Sequence, residues 1–240
     1  MKKGGLDNGS VPAGGLGTRL QPIGFSKELA PVARRAIIEY LLERLLVAGI
    51  DRIFINTAAD KTDLITYLSL KSKYRDHLIY LVRERKGLFD GVALPAQFLR
   101  PADELYFGLP DTIWYPRDGF IPVRDHTGEL VLGLFDTGTP ERFDSVVTDK
   151  RGQIQSIKVK VPHPPSPWTW AIGKMTVRAA NTMRKFEYTD DKPRLFGDIM
   201  ADYCRHHPGY AVPLSGGTCL DIGTPADYNQ AEDFVKSHEK

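Results

Sequence analysis

Apolar residues recur at helical spacing across residues 36–48. Ile37, Ile38, Leu41, Leu42, Leu45 and Leu46 form one stripe, Glu39, Glu43 and Arg44 fall largely between them, and Gly49 supplies a C-terminal stop. The run Arg52-Ile-Phe-Ile-Asn-Thr57 is short and rich in β-branched and aromatic residues, and reads as a buried strand. Asp60 and Asp63 then open a second amphipathic helix in capping-box fashion. Residues 78–82 and 105–109 read as further strands. Strand and helix alternate through this half, which predicts an α/β fold with a mostly parallel sheet covered on both faces.

The middle changes character. Residues 129–135 and 154–161 read as successive strands around a polar stretch with a turn at Thr148-Asp-Lys-Arg-Gly152, predicting an antiparallel addition to the sheet. Residues 161–170 carry four prolines and two tryptophans and read as a loop or an edge. Residues 176–187 and 196–206 read as helices. Thr224, followed by Pro225, caps a last helix running to about Lys236. With no internal repeat, linker or low-complexity tract, 240 residues are expected to form a single domain, 1–240.

Composition narrows the partners. With 32 basic and 30 acidic side chains the net charge is +2, which argues against a nucleic-acid-binding surface, so an anionic ligand must be met by locally placed Lys and Arg. No apolar run reaches the roughly 18–20 residues that cross a bilayer, and the N-terminus has no signal-peptide core; a cytoplasmic protein is expected. Cys204 and Cys219 lack metal-ligand spacing and read as reduced, packed thiols. His206 and His207 are adjacent on a helix and point about 100° apart, so they do not converge on one ion. Asp136, Asp144 and Asp149 read as strand-end and turn residues.

The chemistry concentrates in Gly14-Gly-Leu-Gly-Thr-Arg-Leu-Gln-Pro22, a glycine-dense turn followed by a cation. Three glycines in four positions let backbone N–H groups approach a phosphate, and Arg19 adds a charge-assisted, bidentate contact. Eight residues on, Ser26-Lys27-Glu28 brings a second cation. No Gly-Lys-Ser/Thr follows, so this is not a Walker loop, and a dinucleotide fingerprint would need a third, later glycine. Asp111 in Gly-Leu-Pro-Asp-Thr falls just past a predicted strand, at the end where such sheets bind ligands.

These segments, GGLGTRLQP, SKELAPV and IIEYLLERLLVAGIDRIFI, resemble in order and spacing the sugar-1-phosphate nucleotidyltransferase family that includes glucose-1-phosphate thymidylyltransferases and UTP–glucose-1-phosphate uridylyltransferases. The resemblance implies a Rossmann-like nucleotide-diphospho-sugar transferase fold. It also implies transfer of a nucleoside monophosphate from a nucleoside triphosphate (dTTP or UTP) to a sugar 1-phosphate such as glucose 1-phosphate. Gly14, Gly15, Gly17 and Thr18 would wrap the triphosphate, with Gly91 in Asp-Gly-Val-Ala-Leu beside the nucleotide. Arg19 would hold the leaving pyrophosphate and Lys27 bridge phosphates, while Asp111 and Asp221 (in LDIGTP) would hold Mg2+. Lys160 in IKVKVP is the nearest match to the family's sugar-phosphate lysine, although Lys158 shares its strand face. Trp170 stands beside the sugar or in the core, and the base reader falls near Glu84, Arg85 or Lys86.

One departure stands out. The residues before the loop, KKGGLDNGSVPA, hold only Leu6 and Val11 as large apolar side chains, and Pro12 lacks a ladder donor, so the first strand is expected to be short and irregular. That weakness admits a rival reading, a catalytically silent regulatory subunit; a cytidylyltransferase acting on another phosphorylated acceptor, such as an aminoalcohol phosphate, is a third. No regulatory second site is expected, and a homo-oligomer is left open.

Overall fold

The structure is a computed structural model and describes residues 5–20, 23–189 and 192–239, so Gln21 and Pro22 of the glycine motif lie outside the described residues. Strand β1 (Asp7–Pro12) leads through the glycine loop to helix α1 (Ile37–Val47), then β2 (Ile53–Thr57), α2 (Thr62–Leu70), β3 (Leu78–Val82), α3 (Leu88–Ala93) and β4 (Glu104–Gly108). Next come β5 (Thr112–Tyr115), α4 (Phe120–Asp125), β6 (Leu130–Asp136), β7 (Asp144–Thr148), β8 (Ile154–Val159) and β9 (Trp168–Thr176). The chain closes with α5 (Val177–Met183), α6 (Phe196–His206), β10 (Tyr210–Pro213), β11 (Thr218–Asp221) and α7 (Pro225–His238).

The central sheet is mixed. β3, β2, β1 and β4 run parallel side by side, and β9 joins antiparallel to β4. β6 lies antiparallel on the far edge of β9 and carries β10, while β7 and β8 branch from β9 at Thr169. Alternate residues face opposite layers. On β4, Tyr106 packs into a cluster with Leu41, Leu45 and Phe120, and its neighbours Leu105 and Phe107 enter a second with Val92, Met175 and Phe196. Helices therefore cover both faces, in the nucleotide-diphospho-sugar transferase fold.

Strand β1 overturns the expectation of a short, irregular start: it spans six residues at the centre of the parallel half. Its poor propensity is offset by burial and pairing. Gly9 fits closely: a Cβ there would lie 3.0 Å from Leu45 and 3.2 Å from Ile53. On the other face, the buried Asn8 amide donates to Leu6 O and Glu104 O, and Asn8 Oδ1 accepts from Arg52 Nε. Ser10 donates to Val92 O at 2.7 Å and accepts from Asn56 Nδ2. Pro12 closes the strand, where its missing donor costs nothing.

Other expectations need correction. Residues 161–167 form the expected loop, but residues 168–170 open the nine-residue strand Trp168–Thr176 on which the sheet turns antiparallel, buried along almost its whole length. Residues 144–148 form a strand, not a polar connection. Arg44, which falls between the apolar positions of the α1 pattern, is fully buried, giving two hydrogen bonds to Trp114 O and one to Tyr40 O. Asp60 and Asp63 do not make a capping box; the side chains pair instead with Arg85 and Ser26. Thr224 does cap α7, in a reciprocal capping box with Asp227. Cys204 and Cys219 are free thiols that burial pushes up to about 12. His206 and His207 are exposed and stack separately, on Phe186 and Tyr203. Among the described residues no helix is long and apolar enough to cross a membrane.

Candidate active site

The carboxyl ends of β1, β2 and β4 open onto a cleft of about 440 Å³, lined there by Pro12, Asn56, Thr57 and Asp111. Crevices outside the carboxyl ends of parallel strands are where such sheets hold ligands.

The glycine loop rises from β1 into this cleft. Gly14, Gly15 and Arg19 line it, while Thr18 is exposed and stands outside the lining. Gly17 adopts φ +66°, which glycine takes at no steric cost, and a Cβ there would lie 3.0 Å from the Lys27 side chain.

Lys27 opens a short 3-10 turn (Lys27–Leu29), and its Nζ donates to Asp111 Oδ2. Burial would lower the Lys27 pKa, but the charge and hydrogen bond of Asp111, backed by Glu28 and Asp221, outweigh it and raise it. The lysine is therefore a fixed cation. Its turn is held from beneath by a buried ion pair in which Lys61 Nζ donates to both Glu28 oxygens, at 2.8 and 2.6 Å. Beside it, Ser26 gives its N–H and hydroxyl to Asp63 at 2.6 and 2.7 Å.

Asp111 and Asp221 come from distant parts of the chain to one wall. β5 and β11 pair antiparallel with Thr112 opposite Asp221, and Ile222 N donates to Asp111 O at 2.8 Å. Burial, and then the nearby Asp111 charge, push Asp221 up to about 6 against the pull of Lys27 and Arg19. Arg19 reaches the same spot: a Cβ on Gly223 would lie 3.2 Å from both Arg19 Nη2 and Asp221 Oδ2. Two crowded carboxylates are a pair that a divalent cation would relieve. Among the described residues no third carboxylate, histidine or cysteine joins them, which suits a magnesium ion completed by phosphate oxygens and water.

At one end of the cleft, Glu84, Arg85 and Lys86 all contribute to the wall. Arg85 is committed to the fold, donating to Gly14 O at 2.6 Å and to both oxygens of Asp60. Gly91 lies within α3 rather than before it, and a Cβ there would come 3.3 Å from that of Pro12, so it seats the helix on β1 while also lining the cleft. Pro95 falls in the following 3-10 turn, Leu94–Phe98, outside α3.

The other end is built by Arg142, Phe143, Asp144, Lys160 and Trp170. Lys160 sits in the bend after β8 at φ +46°, and Lys158 is exposed outside the lining. Trp170 takes both expected places, only 7% exposed and at the cleft wall. Arg142 and Asp144 went unrecognised in the sequence, where Asp144 reads as a strand-end residue. Arg142 donates to Asp227 Oδ1 at 2.9 Å, and so is tied to the capping box of α7. No local spacing announces either residue; only the pairing of β7 with β9 brings them to the cleft.

The fold is that of the nucleotide-diphospho-sugar transferases. Residues 11–238 match the family described as nucleotidyl transferase, and the chain belongs to it. Glucose-1-phosphate thymidylyltransferase of Mycolicibacterium smegmatis is 27% identical over 96% of this chain and 83% of its own length. That of Neisseria meningitidis is 30% identical over 95% and 82%. A UDP-glucose pyrophosphorylase crystallised with UDP-glucose superposes with a TM-score of 0.82 at 15% identity, covering 97% of this chain and 99% of the other.

Proposed function

We propose that this chain transfers a nucleoside monophosphate from dTTP or UTP to a sugar 1-phosphate, with glucose 1-phosphate the first acceptor to test, and releases pyrophosphate. The observation that carries this reading is the convergence of Arg19, Lys27, Asp111 and Asp221 on the wall beside the glycine loop. The names of the thymidylyltransferase relatives favour dTTP and glucose 1-phosphate, and that of the pyrophosphorylase favours UTP. The cleft draws its walls from Pro12 through Asp221, which supports the chain acting as one catalytic unit.

The chemistry is an in-line displacement. A phosphate oxygen of the acceptor bonds to the α-phosphorus while the bond from that phosphorus to the oxygen bridging to the β-phosphate breaks, and the electron pair leaves with pyrophosphate. The acceptor is a phosphate monoester whose second pKa is about 6, so it is anionic at neutral pH and needs no general base. The protein's task is to align two anions and to neutralise charge as it shifts to the leaving group. The loop amides and Arg19 hold the β- and γ-phosphates in this reading, and Lys27 lies between donor and acceptor phosphates. Arg142 and Lys160 supply cations for the acceptor phosphate. Asp111 and Asp221 would hold Mg2+, which when bound supplies charge neutralisation at phosphate oxygens. The irregular first strand was the feature favouring a silent subunit, and β1 is formed and central.

The test is pyrophosphate release across dTTP, UTP, CTP, ATP and GTP with sugar 1-phosphates and aminoalcohol phosphates. Turnover with a sugar 1-phosphate is expected; nucleotide binding without turnover throughout the panel would favour the regulatory subunit, and turnover confined to CTP with an aminoalcohol phosphate would favour the cytidylyltransferase. Lys27→Ala and Asp111→Asn should each lower kcat by about 10²–10³-fold, the loss typical of a removed charge-stabilising group, with the far-UV spectrum unchanged. Near-normal turnover in either variant would take that residue out of the mechanism.

A further inference from the structure

The sheet forks at β9. Thr169 pairs with Ser145 of β7, while Ile172, three residues on and along the same edge, pairs with Gly108 of β4. Because β4 ends at Gly108 and β7 begins at Asp144, the two strands leave a notch beside Trp170 that opens into the cleft. Asp144 stands on its lip.

The Asp144 carboxylate is held in one direction. Its Oδ2 accepts from Trp170 Nε1 at 3.1 Å. The indole itself meets Phe107 and Phe196 edge-on, with centroids 6.0 and 5.4 Å away. Behind the carboxylate, α6 offers bare backbone: a Cβ on Gly197 would come 2.4 Å from Oδ2. Among the described residues Trp170 is its one hydrogen-bond partner, and no cation is in salt-bridge contact with it. An ionised carboxylate offers about four acceptor positions, so most of its capacity faces the cleft unused. Burial, with a smaller push from the Asp198 charge, raises its proton affinity against the Trp170 bond and the Lys160 charge, as expected of a group that lacks donors.

The neighbours select the donor. Arg142 and Lys160 line the same end of the cleft. The Lys160 charge reaches Asp144, whereas Arg142 is paired with Asp227; a phosphate on the lysine leaves the carboxylate to an uncharged donor. Hydroxyls are that donor. Building on the transfer reaction proposed above, we infer that Asp144 is the specificity-determining carboxylate of the acceptor end: it accepts hydrogen bonds from ring hydroxyls of the sugar, so that polyhydroxylated phosphates are used in preference to phosphorylated amino alcohols.

The experiment measures kcat/KM of the full chain at saturating nucleotide for sugar 1-phosphates, their singly deoxygenated analogues and an aminoalcohol phosphate. Wild type, Asp144→Ala and Asp144→Asn are compared, the last keeping an oxygen for Trp170. A site built to bond a hydroxyl strongly rejects the analogue lacking it, so wild type should lose at least about tenfold on removal of the recognised hydroxyl. In Asp144→Ala, parent and analogue should be used within about twofold of each other, at the lower level, with the nucleotide KM changed by less than about twofold; Asp144→Asn should fall between. An active wild type whose discrimination survives in Asp144→Ala would overturn the assignment of Asp144 alone. So would a nucleotide KM that rises as far as the acceptor KM, or a wild type that favours the aminoalcohol phosphate. A wild type inert towards every acceptor would instead overturn the transfer reading on which the assignment rests.

Discussion

At the scale of single residues, the position of Lys27 is set by a pair that never touches the cleft. Glu28 is fully buried and its partner Lys61 is 6% exposed, so each is the other's solvation. Breaking such a pair leaves an uncompensated buried charge and costs about 3–5 kcal/mol, whereas replacing both partners by apolar groups of similar size is often neutral. Lys61→Met and Glu28→Leu should therefore each lower stability by about that amount in urea unfolding, and the double variant should recover most of it. Additive losses would mean that the two charges are independently solvated. The recovered double variant is also informative in the activity assay, because the turn beneath Lys27 is then packed without being ionic.

Among the elements, β1 depends on contacts outside itself. Its entry is fixed by Asp103, whose Oδ1 accepts from Leu6 N at 2.8 Å and whose Oδ2 accepts from Arg100 N at 3.0 Å. Burial would raise the Asp103 pKa, but these two N–H groups and the Arg100 side chain outweigh it and hold the pKa below its ordinary value. A carboxyl with a depressed folded pKa contributes stability that is complete above its unfolded value, about 3.9, and is lost as pH falls through the folded value. Asp103→Asn should thus be less stable than wild type by about 2 kcal/mol at pH 7, with the two melting curves converging as pH falls through the depressed folded pKa of Asp103. A constant gap across that range would show that the contribution is not ionic. The same strand marks where reading a sequence succeeds and fails. Helix α1 was legible because its apolar stripe repeats at the helical period, and Arg19, Lys27, Asp111 and Asp221 were legible because each sits in a short linear pattern. β1 was not, since Asn8, Gly9 and Ser10 are strand residues only by virtue of Leu45, Val92 and Asn56. β9 was obscured by the prolines before it, and Arg44 by a charge that ordinarily means solvent. Arg142 and Asp144 carry no local signal at all; which edge of β9 their hairpin joins decides where they point.

For the whole molecule, the walls of the cleft divide along the sheet. The glycine loop, Asn56, Thr57 and the 83–91 segment belong to the parallel half, and Arg142, Asp144 and Lys160 to the β7–β8 branch. The paired aspartates stand between, on Ile222-to-Asp111 bonding and the β5–β11 ladder. That branch rests on β9 through one register pair, Thr169 with Ser145, and on α6 through apolar packing of Val146, Ile154 and Ile157. It also rests on β10, through the bridge of Gln153 with Tyr210 and the bonds from Ile154 N to Gly209 O and from Ala211 N to Gly152 O. On the reading proposed above, the β7–β8 branch is the part that meets the acceptor, and it should exchange as a unit. Residues 137–167 replaced by the equivalent segment of a relative with another acceptor, keeping the buried apolar positions, should change which phosphate is accepted and leave the order of preference among triphosphates as it was. Measured as two separate specificity profiles, a change in both would show that the halves are read together. On that reading, an enzyme can acquire a new product through changes within residues 137–167, at one margin of its sheet, while the nucleotide-binding half is inherited intact.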